Sequence, residues 1–257
     1  MEEQPAQRED VAALVQGAGR GLGLALTRRL LESGRFRQVV ATSRDPAASP
    51  GLRELQEQWG VRLRTEALEL ADEQSVAGLG TRLRDSLAPL GLVLNVSGLL
   101  HGGGQWPEKR LEDVQAAALA RSFAVNAVGP LLVARELWPL LARAPRAVLA
   151  NVSARVGSIG DNRLGGWYGY RASKAAQNQL TRTLAIELGR RAPRVICVAL
   201  HPGTTDTGLS RPFQSRVPQD RLFSPDYAAA RMLAVIDALG PEDSGGFFAW
   251  DGQSIPW

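Results

Sequence analysis

Short apolar runs alternate along this chain with longer stretches whose apolar positions recur every three or four residues. The short runs fall near 11–16, 37–42, 62–68, 90–95, 146–152, 194–200 and 246–250, and each reads as a strand. The longer stretches, near 21–33, 51–59, 73–88, 111–142, 168–190 and 225–239, read as helices. Alternation of this kind predicts an α/β fold, a doubly wound parallel sheet of about seven strands with helices on both faces. Right-handed crossovers then bring the carboxyl ends of the strands to one edge, where such sheets bind ligands. No internal repeat is present, and Gly102, Gly103 and Gly104 make a short loop rather than a linker. A single domain over 1–257 is expected.

Composition narrows the classes. The 257 residues are 44% hydrophobic, enough for one large core. The net charge of +4 comes from arginines scattered among acids, without a basic block, so no nucleic-acid face is expected. The polar start M-E-E-Q-P-A-Q-R-E-D reads as no signal peptide, and no apolar run approaches a membrane span. The single cysteine, Cys197, lies in an apolar strand and reads as a buried, inert thiol, which fits the cytoplasm. His101 and His201 lack ligand spacing, and no metal site is expected.

Two motifs carry chemistry. The first run, Val11 to Val15, is followed by Q-G-A-G-R-G-L-G and then by a helical pattern through Leu22, Leu26, Leu30 and Leu31. Strand, glycine turn and helix form the context of a dinucleotide site. The glycines permit close backbone approach, and the helix N-terminus offers free N–H groups to a pyrophosphate. The second motif is Y-R-A-S-K, with Tyr170 four before Lys174 and Ser153 seventeen residues upstream of the tyrosine. A spacing of four puts two side chains on one helix face. An ammonium beside a phenol lowers the phenol's pKa from its ordinary value near 10, which suits a general acid or base.

Together these motifs resemble the short-chain dehydrogenase/reductase family over nearly the whole chain, and S-A-R-V-G-S-I-G-D-N, G-G-W-Y-G-Y-R-A-S-K, H-P-G-T-T-D-T and G-F-F-A-W-D-G-Q-S-I-P-W resemble, within it, the C-factor-like and sniffer-type carbonyl reductases. The resemblance implies a Rossmann sheet. It implies a catalytic set of Asn126, Ser153, Tyr170 and Lys174, in which the asparagine acts through a bound water. It assigns cofactor binding to Gly17, Gly19, Arg20, Gly21, Leu22 and Gly23 in the glycine turn, and to Ser43 and Arg44 after the second strand. Glu69 stands where relatives often carry an aspartate near the adenine, with Leu70 supplying backbone. Asn95, Ser97 and Gly98 match the family's N-A-G element, Pro202 and Gly203 its P-G turn, with Thr205 and Thr207 following. Tyr170 and Lys174 also meet the nicotinamide ribose. A substrate lid is expected at about 203–223.

The chain departs from the family pattern in three places. Gln16 stands where threonine is usual, the N-N-A-G element reads N-V-S-G, and the Ser153–Tyr170 gap is a few residues longer, which enlarges the loop 154–169. Cofactor choice turns on the end of the second strand. Arg44 there can pair with a phosphate in a bidentate way, and Arg20 is a second cation, which together favour NADP(H). A shift of one residue would instead make Asp45 an NAD-type acid, although its place before Pro46 reads as a turn. The function expected is NADPH-dependent hydride transfer to or from a small-molecule carbonyl or alcohol. The alternatives are a C-factor-like signalling protein and an NADP-binding regulator on the same fold. The resemblance also implies a homodimer or homotetramer formed through the helices near 111–142 and 168–190. The latter carries a stripe of Ala172, Ala175, Ala176, Leu180, Thr183, Leu184 and Leu188.

Overall fold

The structure, a computed structural model, describes residues 9–257. The N-terminal segment read as lacking a signal peptide lies outside the described residues except at its last two positions. The apolar runs fold as strands β1 (Glu9–Gln16), β2 (Phe36–Ser43), β3 (Leu63–Ala67), β4 (Leu90–Asn95), β5 (Ala147–Val152) and β6 (Val195–His201). Two short strands, β7 (Thr204–Thr205) and β8 (Leu222–Phe223), pair apart from the main sheet, and β9 (Phe247–Ala249) returns to it. The seven-stranded sheet is parallel throughout, in the order β3-β2-β1-β4-β5-β6-β9. The order reverses between β1 and β4, so the crevice of a doubly wound sheet opens there, above Gln16 and Asn95.

Central strands buried on both faces need continuous apolar sequence. β5 is buried at every residue, and Leu14, Val93, Leu149 and Cys197, side by side across four strands, are fully buried. Cys197 is free, and burial pushes its thiol up to about 12.

The helices are α1 (Gly21–Glu32), α2 (Pro50–Trp59), α3 (Glu73–Arg84), α4 (Ala116–Phe123), α5 (Gly129–Ala142), α6 (Tyr168–Arg191) and α7 (Pro225–Ala238). α1 packs on α7, while α3, α5 and α6 form a second row. Starts follow local chemistry: Ser49, Asp72 and Ser224 cap α2, α3 and α7 through their side chains.

Three expectations need correction. The helix expected from 111 begins at Ala116, because the Asp113 carboxylate turns back to accept from the Lys109 and Arg110 amides and closes a separate turn at Leu111–Asp113. The helix expected to reach 88 stops at Arg84, where Ser86 Oγ takes the Arg82 carbonyl at 2.6 Å. The span Ala116–Ala142, 27 residues, is long and apolar enough to cross a membrane, with an 18-residue window of mean hydropathy 1.5. In the fold this span is interrupted by a π-helical turn, Ala124–Val128, and its α5 portion packs on β4 and β5.

Candidate active site

Every strand–loop junction expected to hold site residues lies at the carboxyl edge of the sheet. Ser153 follows β5, and Tyr170 and Lys174 sit one turn apart on the first turns of α6. All three are buried, at 3%, 9% and 2% exposure. Lys174 Nζ donates to the Val152 carbonyl at 2.8 Å, next to Ser153, and lies 5.9 Å from the centre of the Tyr170 ring. Ser153 Oγ donates to Asn178 Oδ1 at 2.6 Å.

Burial sets the charge states here. It raises the Tyr170 phenol well above its ordinary value and brings Lys174 down to about 7. The Tyr170 direction is opposite to the one expected from the spacing of four. The physical reason is burial of the phenol, while the Lys174 ammonium is held by Val152 O and by Gln177 Oε1, at 2.8 and 3.0 Å.

Asn126 lies in the π-helical turn and is fully buried. Its Nδ2 donates to the Leu99 carbonyl at 2.8 Å and to Ser173 Oγ at 2.9 Å, and its Oδ1 accepts from Leu99 N at 2.6 Å. The asparagine therefore ties the loop after β4 to α6. Gly98 keeps the neighbouring space open: a Cβ there would stand 3.8 Å from both Asn126 Oδ1 and Lys174 Nζ.

The glycine turn is tight enough to exclude side chains. A Cβ at Gly23 would stand 2.0 Å from the Gly17 carbonyl oxygen, so α1 starts directly against the turn. Gly19 faces Ser43, Gly21 faces Thr207, and Leu22 is buried behind them. Ser49 Oγ donates to the Gly19 carbonyl at 2.6 Å and fixes the turn to the segment after β2.

Arg20 and Arg44 are exposed beside this turn. Asp45 is a turn residue: its Oδ1 accepts from Ala48 N at 3.0 Å. Glu69 is exposed, and its carboxylate closes its own turn on Ala71 N at 3.1 Å, with Leu70 buried beside it. Asn95 Nδ2 donates to Asn151 Oδ1 at 2.8 Å, and Ser97 is bonded to Gln16. Gly203 adopts φ +76 against the Phe223 ring, after Pro202.

A nicotinamide dinucleotide phosphate suits this edge. Thr42 Oγ1, Ser43 Oγ and Thr205 Oγ1 are buried without a protein partner around a cradle that admits no Cβ, with two exposed arginines at one end. Among the described residues, no cluster of metal-ligating side chains is present.

Some contacts were not visible in the sequence. Gln177 and Asn178 hold Lys174 and Ser153 directly. Their place three and four residues beyond Lys174, on the face that Tyr170 and Lys174 share, was the available signal. Above Tyr170 lies an aromatic group of His101, Trp106, Trp167 and Phe213 from three different loops, with no periodicity to announce it.

A family model described as short chain dehydrogenase matches residues 11–217. The C-signal protein of Myxococcus xanthus is 38% identical over 169 residues, covering 66% of this chain and 93% of that protein. Among solved structures, the NADPH-bound carbonyl reductase from chicken fatty liver superposes with a TM-score of 0.86 at 28% identity, covering 99% of this chain and 97% of the other. The carbonyl reductase Sniffer of D. melanogaster superposes with a TM-score of 0.85 at 25% identity, covering 97% of this chain and all of that one.

Proposed function

This chain belongs to the short-chain dehydrogenase family, and from that premise we propose that it is an NADPH-dependent oxidoreductase acting on a small-molecule carbonyl or its alcohol. One observation carries the reading. The Ser153 hydroxyl, the Tyr170 phenol and the Lys174 ammonium share one buried wall beside a glycine turn, at the edge where such sheets take dinucleotides.

The glycine turn from Gly17 to Gly23 and the start of α1 would hold the pyrophosphate. Arg44, Ser43 and Arg20 would hold the phosphate on the adenosine ribose, with Glu69 and Leu70 flanking the adenine. Asn95, Ser97, Gly98, Pro202, Gly203, Thr205 and Thr207 would border the nicotinamide half. When bound, NADPH supplies the hydride.

Ser153 donates its hydrogen bond to the substrate carbonyl once it turns from Asn178. Tyr170 gives its proton to the carbonyl oxygen as the carbon is reduced. The raised pKa suits this direction, because the phenol stays protonated at neutral pH. Lys174, when charged, stabilises the phenolate left behind. Asn126 and Lys174 border the space at Gly98, where a water would carry the replacement proton.

We read the chain as one domain whose segment 203–223 covers the site. Its free, buried cysteine suits the reducing cytoplasm. A homodimer or homotetramer would pair α4, α5 and α6. Val128, in the π-helical turn between α4 and α5, and Ile186 on α6 are 45% and 50% exposed, and one-third of the 18-residue apolar window within Ala116–Ala142 is buried. Light scattering tests this: a mass of 27.6 kDa would mean a monomer.

Steady-state NADPH oxidation with a panel of aldehydes, ketones and quinones tests the activity. Similarity to C-signal raises a signalling role, and the same assay separates the two: a chain that binds NADPH but reduces nothing on the panel would favour the signalling protein or a regulator.

A further inference from the structure

α6 starts without a cap of its own. Its first flanking residue, Trp167, has no side-chain acceptor to offer and sits in the left-handed region at φ +53, ψ +45. Gly165 and Gly166 before it are also left-handed, at φ +62 and +64. Glycine takes such angles freely, whereas a bulky residue takes them at a cost. Trp167 is the only non-glycine residue at positive φ among those described. A third glycine would satisfy the backbone more cheaply, so it is the ring that this position requires.

The strained residue is held from outside the helix. Glu108, on the loop after β4, is 4% exposed. Its main-chain carbonyl accepts from Trp167 N at 2.5 Å, and its carboxylate Oε2 accepts from Gly169 N at 3.1 Å. Glu108 therefore supplies the missing cap of the catalytic helix and grips the residues on both sides of Tyr168. Arg171 adds a second clamp, donating through Nε to the Gly165 and Gly166 carbonyls at 3.2 and 3.0 Å.

So fixed, the indole stands edge-on to two rings: Tyr170 at 6.3 Å between centroids and Phe213, from the segment over the site, at 4.9 Å. Phe213 in turn meets His101 at 5.7 Å, and His101 stacks on Trp106 at 5.4 Å. Flat rings thus bound the space beside the Tyr170 phenol, and a flat apolar group can pack among them in offset or edge-on geometry.

We propose that Trp167 is a specificity-determining residue, clamped by Glu108 as the wall between Tyr170 and Phe213, where it selects carbonyls that carry a flat aromatic group. The inference rests on the oxidoreductase reading above. Glu108 acts through Trp167 and is a positioning residue.

The test compares kcat/KM for 4-nitrobenzaldehyde and propanal, with NADPH, in the unmutated chain and in Trp167→Gly and Trp167→Leu. Glycine accepts the backbone without strain, and leucine keeps an apolar side chain but no flat ring, so either variant that binds NADPH serves. The ratio of the aromatic to the aliphatic aldehyde should fall about tenfold or more, as expected for lost apolar contact in a pocket. Glu108→Ala should lower the same ratio, and Glu108→Gln, which keeps an acceptor for Gly169 N, should restore it. An unchanged ratio in the Trp167 variants overturns the proposal. If the unmutated chain reduces neither aldehyde, the fault lies with the oxidoreductase reading on these probes. The wall is then judged by calorimetric binding of 4-nitrobenzyl alcohol with NADP+. Binding by the unmutated chain that is lost in Trp167→Gly upholds it. Binding that is absent from the unmutated chain or unchanged in the variant overturns it.

Discussion

Gln16 and Ser97 hydrogen-bond each other twice beneath the glycine turn: Gln16 Nε2 donates to Ser97 Oγ at 2.8 Å, and Ser97 N donates to Gln16 Oε1 at 3.2 Å. These are two of the positions at which the chain departs from its family's usual residues. In the fold the two departures meet, a longer amide on β1 reaching a hydroxyl after β4. Gly17 must be glycine beside them, since its φ is +86 and a Cβ would stand 2.3 Å from Ser97 Oγ.

Ser97→Ala should therefore cost more than a surface hydroxyl. It leaves the buried Gln16 amide without its acceptor, a loss of about 1–3 kcal/mol. Gln16→Thr should also destabilise. The double variant should cost less than the sum, by about 0.5 kcal/mol or more. Denaturant unfolding of the four proteins measures this, and additive effects would show that the two residues do not act as a pair.

Tyr170→Phe should lower turnover about 100-fold, the scale of losing a positioned general acid, while NADPH affinity stays near its original value. Tyr168, 42% exposed, points elsewhere, and Tyr168→Phe should keep most activity. The pH profile adds a second readout. Lys174, held down to about 7 by burial, carries its charge below that pH and loses it above. If its charge stabilises the phenolate, kcat/KM for carbonyl reduction falls as pH rises through about 7, because this parameter reports groups of the free enzyme. A flat profile between pH 6 and 9 would remove Lys174 from that role.

Arg44→Ala should weaken NADPH roughly tenfold or more, as for a lost charge-assisted hydrogen bond, and leave NADH little altered. Asp45→Ala should not convert the preference, because the Asp45 carboxylate is spent on Ala48 N. Titration of both cofactors against the unmutated chain checks the premise, and tighter binding of NADH would overturn it.

The strands were legible because a parallel sheet buried on both faces demands runs such as A-V-L-A-N-V, and the glycine turn because its backbone packing admits no side chain. α6 was read less well. Its stripe of alanines and leucines is largely half-buried or exposed, while Ser173, Lys174, Gln177, Asn178 and Thr181 are buried. That inner face is polar because its partners are polar: Asn151 Nδ2 donates to Thr181 Oγ1 at 2.8 Å, just as Ser153 donates to Asn178. Hydrophobic periodicity cannot reveal a face that is satisfied by hydrogen bonds between elements far apart in sequence. Glu108 escaped notice for a related reason. Among Lys109, Arg110, Glu112 and Asp113 nothing marks it as the one carboxylate of that stretch that turns inward to cap a helix.

His201 should make the fold acid-sensitive. It ends β6 just before Pro202, and its Nδ1 is buried without a protein partner. Burial, aided by the Arg155 charge and partly offset by Asp251, lowers its pKa from 6.5 to about 4. Between those values the unfolded chain binds a proton that the folded chain refuses. Stability therefore rises with pH across that window, and acidification from pH 7 to 4 costs on the order of 3 kcal/mol from this residue. His201→Gln removes the titrating group. It should lose some stability at pH 7 through altered packing, yet show a shallower decline from pH 6.5 to 4.5 than the unmutated chain. Denaturant midpoints at pH 4.5, 5.5 and 7 give both slopes. Parallel slopes would assign the acid sensitivity to the carboxylates instead, with Glu66 the first to examine, because its bonds to Arg82 and Arg64 hold its pKa below the ordinary value.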